Sequence, residues 1–552
     1  MRSTKSFTRS CRADRAIRRL LALMVALSLC AAPAMASGDI AYDLNGDLRA
    51  ADPALVDAMP YEEEKVTDME SADVIIGYIA QPASSLNPAT CTEWSLVCVN
   101  QLIFESVVDF DETMRPVPML ADSWEQDGKA WTFHLRNGIQ FHNGQPQTAY
   151  DVVRSYETII SSYEDNPYYG RLLSIDSMEA ADILTVRVNA KTTGLSTLYA
   201  MNFPVMQNTT LADEVPRGTG PYWYIQRNDE DTIRLEVNPL WWKRQPAVQS
   251  ILLKRFNDAG DALQAIQTNR ITMLATNSPK ASFSRKLSDL TSMDYNTLTY
   301  EMLIPNLNTK SLMSDVSARQ AVMFAVDRSV LASNAYVDMA VQCEVPLPPS
   351  HWLYESQSAI YYYSPERALQ LMHNLGWYDM TGNGKLNRRE GMLLREPNLT
   401  IVTYNEDTNS MRENAANLIA GYLEAIGFNV DVNVVSRARC RELIRSREFD
   451  LALVGMNMSE MPSLSALMSA EGTLNMNGFG NQDIEDKLKR ITSTADETEL
   501  KKLYSDIQMY IVNRLPIMGL LFRTGTVLSS RPLGGMSGLR YYDAFNGFEF
   551  IQ

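Results

Sequence analysis

The chain has 552 residues, 45% of them apolar and 21% charged, which is a globular composition long enough for two or three domains and excludes disorder as its main theme. Its formal net charge of −16 argues against nucleic acid, because phosphate binding needs concentrated Lys and Arg to release counterions.

The N-terminus carries Arg2, Lys5, Arg9, Arg12, Arg15, Arg18 and Arg19, then the apolar run LLALMVALSL and the small-residue stretch CAAPAMASG. That order predicts a secretory signal peptide over 1–36, cleaved after Ala36. The apolar run is about half the ~20 residues a membrane span needs, and no later stretch is longer. The expected location is the periplasm or the extracellular face of the membrane. Cys30 in LSLC resembles a bacterial lipoprotein box, so a lipid anchor is the alternative to cleavage, although Leu29 stands where that pattern wants a small residue.

The mature chain keeps Cys91, Cys98, Cys343 and Cys440. In an oxidising compartment four cysteines can form two disulfides in three pairings, and Cys91 with Cys98 closes the shortest loop. The alternative is that they are buried small apolar residues. Residues 37–70, ending in YEEEKVTDME, lack apolar periodicity and read as an acidic linker.

The fold opens at DVIIGYI, a buried strand followed by the turn-forming QPASSLNPAT. SLVCVNQLIFESVV has helical spacing. DSWEQDGKAWTFHLRNG reads as a hairpin turning at Asp127-Gly128, and TAYDVVRSYETII as a helix capped by Thr148. Further on, DMTGNGKLNRRE places Asp379, Thr381, Asn383, Gly384, Asn387 and Glu390 at calcium-loop positions. Only two of those are carboxylates and the flanks are not helical, so it reads as a tight turn and no metal is expected. ENAANLIAGYLEAIG is an amphipathic helix, followed by the strand FNVDVNVV. The whole is α/β without repeats.

The order of motifs resembles the solute-binding proteins of ABC importers, in the oligopeptide/dipeptide/nickel-binding group, over about residues 71–550. The blocks that carry the resemblance are PMLADSWEQDGKAWTFHLRNGIQFHNGQPQTAYDVVRS, GTGPYWYI, VNPLWW, SDVSARQAVMFAVDRSVL, LGWYDMTGNGKLN, IGFNVDV and REFDLALVG. Within them, Gly218, Gly220, Pro221, Arg319, Asp327, Arg328, His134 and His142 are expected to hold the fold and not a ligand.

The resemblance implies an α/β, two-lobed periplasmic-binding-protein fold with a hinge and an extra domain inserted in the first lobe. Lobe I would combine 71–110, 223–300 and 523–552, with the insertion at 111–222 and lobe II at 301–522. It also implies a protein that captures peptides in the interlobe cleft and delivers them to the permease and ATPase subunits of an ABC transporter. Alternatives are another small solute, such as an oligosaccharide or nickel chelate, or a sensor of peptide signals. No cofactor is implied. Enzymes are disfavoured because Gly-x-Ser-x-Gly, His-Glu-x-x-His and a P-loop are absent from the sequence.

Peptide-binding members hold the ligand's α-ammonium with an acid in a segment resembling Asp-Tyr-Pro-Asp, and a buried ammonium needs such a partner. Here the matching MNMSEMPSLS puts Glu460 at the first acidic position, while Met461 and Ser463 depart from the pattern. Met456, Met458 and Met461 would form an adaptable wall; methionines rather than aromatic faces favour peptide over sugar. Trp94, Asn306, Asn308, Tyr404 and Asn405 are further cleft candidates by resemblance. Arg523, near the second hinge, is a candidate for a ligand carboxylate or else an ion pair.

Overall fold

The computed structural model describes residues 71–228, 231–406, 409–461 and 463–551. The signal sequence with Cys30 and Ala36, the linker 37–70 and Pro462 lie outside the described residues.

In chain order the strands begin with β1 (Val74–Ile79), the short pair β2 (Val108–Phe110) and β3 (Pro116–Pro118), then β4 (Ala121–Asp127), β5 (Ala130–Leu135), β6 (Ile175–Asp182) and β7 (Thr185–Ala190). Next come β8 (Tyr222–Asn228), β9 (Thr232–Val237), β10 (Ser250–Phe256), β11 (Met273–Thr276), β12 (Thr291–Pro305) and β13 (Ala340–Gln342). The last six are β14 (Arg388–Glu390), β15 (Leu393–Arg395), β16 (Asn398–Tyr404), β17 (Asn429–Val435), β18 (Leu451–Asn457) and β19 (Met518–Ser529).

Strands β4, β5, β7 and β6 form an antiparallel sheet of their own. Alternation in AWTFHL buries Trp131, Phe133 and Leu135 on one face, as period-two patterning requires. The predicted hairpin turn is present with Gly128 at φ +59, and Thr148 caps the helix Ala149–Ile160.

The large sheet runs β17-β16-β18-β12-β19-β11-β1-β10-β9-β8, with β13 added on β19. Strand β1, the DVIIGYI run, is parallel to β10 and β11, and buried neighbours explain its unbroken apolar sequence. The long antiparallel strands β12 and β19 occupy the middle. They pair from Thr291 to Asn296 and again from Tyr300 to Leu303, with the register broken between. That break leaves Thr297, Leu298 and Thr299 out of the β12–β19 ladder and free to serve as walls of the neighbouring cavities.

The helix expected over SLVCVNQLIFESVV stops early, at Trp94–Asn100. The carbonyls of Leu102 and Ile103 accept instead from Tyr222 N at 3.0 Å and Gly220 N at 2.9 Å, so long-range pairing takes over from helical propensity. A Cβ on Gly218 or Gly220 would stand 2.1 or 2.7 Å from the Ile103 carbonyl oxygen, which is why this connection needs glycines. His142 closes the same knot, its Nδ1 accepting from Gly218 N at 3.3 Å.

Arg319 donates to the carbonyls of Met313 and Arg514, each at 2.6 Å, and Arg328 pairs with Glu344 at 2.8 Å; both are buried. The expected calcium-like stretch is a turn. The carboxylate of Asp379 accepts from the main-chain N–H groups of Gly382, Asn383 and Gly384 at 2.7–3.2 Å. Gly382 and Gly384 take the left-handed φ values. Glu390 pairs with Arg388.

The disulfide expectation is corrected. Cys91, Cys98, Cys343 and Cys440 are all free and buried. Burial pushes the Cys91 and Cys343 thiols up to about 12 and Cys440 to about 11, as expected of packed apolar side chains.

Candidate functional site

Strand β18 ends at Asn457, and the chain turns out of the sheet through Met458, Ser459, Glu460 and Met461. Met458 N donates to Leu298 O at 2.8 Å, so the loop is pinned to the register break of β12. Facing it are Arg171 on the short helix Tyr169–Leu172, Tyr199 on Ser196–Ala200, Tyr504 on Glu497–Arg514, and Tyr541 and Tyr542. Together they enclose a cavity of about 480 Å3, in the range of small-ligand sites.

Glu460 is the acid of this wall. Its side chain is 8% exposed and its Oε2 is paired with the Arg171 guanidinium. The contact is an ion pair rather than an aligned hydrogen bond, and Oε2 is a buried acceptor with no aligned donor. Arg171 is itself held by Asn202 O and Oδ1 at 3.0 and 3.1 Å and lies over the rings of Tyr168 and Tyr542. The cavity therefore presents a fixed cation, a carboxylate with spare accepting capacity and four phenol rings.

A second cavity of about 70 Å3 lies beyond Glu460, sharing Leu298, Met458, Ser459 and Tyr541 with the first. Next to it Arg540 donates to Phe110 O at 2.8 Å, Asp109 Oδ1 at 2.8 Å and Asp543 Oδ2 at 2.7 Å. Burial, opposed by Arg540, pushes the Asp543 carboxyl up to about 7.

Residues 115–478 match the bacterial extracellular solute-binding proteins, family 5 Middle. The chain belongs to that family. This solute-binding protein is 24% identical over 496 residues to heme-binding protein A of Haemophilus influenzae, across 81% of this chain and 87% of that one. It is 22% identical over 501 residues to oligopeptide-binding protein AppA of Bacillus subtilis, across 86% and 91%. Among solved structures, the nickel ABC transporter from Bacillus halodurans superposes with a TM-score of 0.73 at 20% identity, over 86% of this chain and 98% of that chain. The fold is the two-lobed periplasmic-binding-protein fold, and family 5 proteins are binding proteins, not enzymes. No described helix is long and apolar enough to cross a membrane.

Of the residues singled out in sequence, the solute-binding protein brings Glu460, Met458 and Met461 to the main cavity. Met456 is buried within β18 opposite Tyr300 and is not part of that lining. Trp94 acts from behind: its Nε1 donates to Tyr541 O and its ring stacks on Tyr295, which positions the tyrosine shared by both cavities. Asn306 is corrected to a structural role, its amide donating to Arg447 O and Phe449 O at 3.2 and 2.7 Å. Asn308 is exposed in the following turn and caps Lys310 N. Tyr404 is buried between Arg412 and Arg437, and Asn405 is exposed where β16 ends.

Arg523 is corrected too. Its Nε donates to Glu301 at 2.6 Å and its Nη2 to both oxygens of Glu406 at 2.9 and 3.0 Å. Arg412 binds Glu301 with two further bonds at 2.8 and 3.0 Å. Two arginines and two carboxylates thus pair with one another, Arg412 Nη1 standing unaligned at 3.4 Å from Glu406, and Arg523 has spent its fork on them.

Arg171, His351 and the four tyrosines escaped sequence reasoning, as no local spacing links them to Glu460. The tyrosines also remove one premise, since aromatic faces do line the cavity and the methionines no longer separate peptide from sugar.

Proposed function

We propose that this solute-binding protein captures short peptides by their free α-ammonium at Glu460 and delivers them to the permease and ATPase subunits of an ABC transporter. The observation that carries the reading is Glu460, a carboxylate 8% exposed whose Oε2 is paired with Arg171 and which lines both cavities, the larger of them big enough for a peptide. A buried carboxylate so placed costs free energy that an ammonium N–H recovers. The oligopeptide-binding name of the Bacillus subtilis relative supports the same class.

On this reading the lobes divide as 71–110, 223–300 and 523–552 against 301–522, with 111–222 inserted. The register break in β12 then lies near the hinge, and closure buries the ligand. Residues 1–36 direct export, with cleavage after Ala36 or a lipid at Cys30 as the two ways of releasing or tethering the fold. The second reading is an oligosaccharide stacked on Tyr541 and Tyr542, the two lining tyrosines that keep exposed surface.

Calorimetric titration of Glu460→Gln separates the two. Free peptides should bind about 10–100-fold more weakly to the variant, equivalent to roughly 1.4–2.8 kcal/mol, while N-acetylated peptides change little. Equal loss for both peptide forms, or binding of oligosaccharides alone, would remove the ammonium role.

A further inference from the structure

We infer that the smaller cavity beside Glu460 receives the side chain of a peptide's first residue, and that His351 selects a short neutral hydrogen-bond acceptor there. This rests on the peptide reading above. Because Glu460 belongs to the walls of both cavities, an ammonium bound to it stands at their junction. The two remaining branches at the first Cα then have two places to go. The main chain continues into the 480 Å3 cavity and the side chain enters the 70 Å3 one. A water occupies about 30 Å3 of liquid, so the smaller space takes a side chain of roughly two to four heavy atoms and rejects an aromatic ring.

His351 gives that space its chemistry. It is 5% exposed, and its Nδ1 accepts from Leu353 N at 3.1 Å, which places the ring proton on Nε2. The ring is stacked on Trp352, whose own Nε1 is tied to the Tyr199 hydroxyl at 2.9 Å. Nε2 is a buried donor without an aligned acceptor; the main chain of Glu460 is the protein group closest to satisfying it. A fixed, deeply buried N–H in a small cavity lined by Met114, Pro346, Pro348 and Leu539 is a receptor for one acceptor atom.

The acceptor is neutral. Burial holds the imidazole down to about 4, so His351 supplies a donor without positive charge. Arg540, the cation beside it, is consumed by Phe110, Asp109 and Asp543. A first-residue carboxylate would meet Glu460 and Glu112 with nothing to balance it. Ser, Thr and Asn fit these conditions, whereas Asp and Phe do not.

The test is a titration series of tripeptides X-Ala-Ala with X as Ser, Thr, Asn, Ala, Asp or Phe, against the mature chain. Ser, Thr and Asn should bind about tenfold more tightly than Ala, a net hydrogen bond's worth, with Asp and Phe weaker than Ala. His351→Phe should abolish the Ser, Thr and Asn preference, and His351→Gln, which retains an N–H, should restore part of it. Ser350→Leu, at the exposed rim, narrows the cavity without altering the imidazole and should penalise Thr and Asn against Ala. A flat series in the wild type, or an unchanged preference in His351→Phe and Ser350→Leu, overturns the inference alone. Failure of every free-amine tripeptide to bind overturns the peptide reading and this inference with it.

Discussion

Two of the buried charge clusters among the described residues differ in what surrounds them. Around Glu301, two arginines and two carboxylates pair with one another, with Arg523 and Arg412 both bonded to Glu301 and Arg523 bonded again to Glu406. Around Glu460, a single arginine approaches without alignment and the carboxylate faces open volume. Both cost desolvation; the first leaves a guanidinium nitrogen, Arg412 Nη1, unaligned at 3.4 Å from Glu406, whereas the second leaves a carboxylate oxygen unaligned beside a cavity. The first cluster ties β19 to β12 through Arg523 and Glu301; on the peptide reading proposed above, the second, at a cavity wall, receives the solute.

The sharpest way to break that contrast is to unbalance the first cluster. Glu301 lies at the centre of β12 with no exposure. Burial opposes its ionisation, yet Arg523 and Arg412 hold its carboxyl below the usual carboxylate range. Glu301→Gln leaves two buried guanidinium groups short of a counterion and should cost about 3–5 kcal/mol of stability, read as a lowered denaturant midpoint. Glu460→Gln in the same assay should lose far less, because its partner Arg171 keeps Asn202. Equal losses would mean that the two clusters do the same job.

Acid separates a structural histidine from the charge clusters. His142 titrates near 6.5 in the unfolded chain, while burial in the fold pushes it down to about 3. Between those values the unfolded state binds more protons, so its contribution is complete above pH 6.5 and falls as pH drops. By pH 4 the loss is about 3 kcal/mol, and His142→Asn should flatten that limb in stability measured against pH. Asp543 works in the opposite direction. Its folded carboxyl is raised to about 7, so its contribution is greatest below the unfolded value of 3.8 and is lost as pH rises towards 7. Because Asp543 offsets His142 over this range, the readout is the difference between wild type and His142→Asn, and a difference that stays constant between pH 6.5 and 4 would remove His142 from the account.

Local order was the legible part of this chain. The run at Val74–Ile79, the turn at Gly128, the cap at Thr148 and the strand β17 follow from periodicity and turn chemistry within a few residues. Glu460, Met458 and Met461 were reachable through a segment that resembles the acidic loop of peptide-binding proteins. What escaped depends on partners far along the chain. Arg171 meets Glu460, His351 meets the same loop, and Ile103 leaves its helix to pair with Gly220. Arg523 displayed an available fork in sequence only because Glu301 and Glu406 are more than a hundred residues away from it. The cysteines were ambiguous for the same reason: spacing permits a bridge, but packing decides whether the sulfurs meet.

The smallest expected effect extends the contrast to a third carboxylate. Asp379 has the position and neighbours of a calcium ligand, but three main-chain N–H groups already occupy its oxygens, and Glu390 is engaged by Arg388. A cation would have to displace those bonds with few other carboxylates to help, so the turn should behave as a saturated site. Chelator added to the purified protein should then move the melting temperature by less than roughly 1 °C, and added calcium should not raise it, since a ligand stabilises only through binding the folded state. A clear rise with calcium would show that hydrogen-bond saturation is not what distinguishes structural from receptive carboxylates in this fold, and the argument for Glu460 would lose its basis with it.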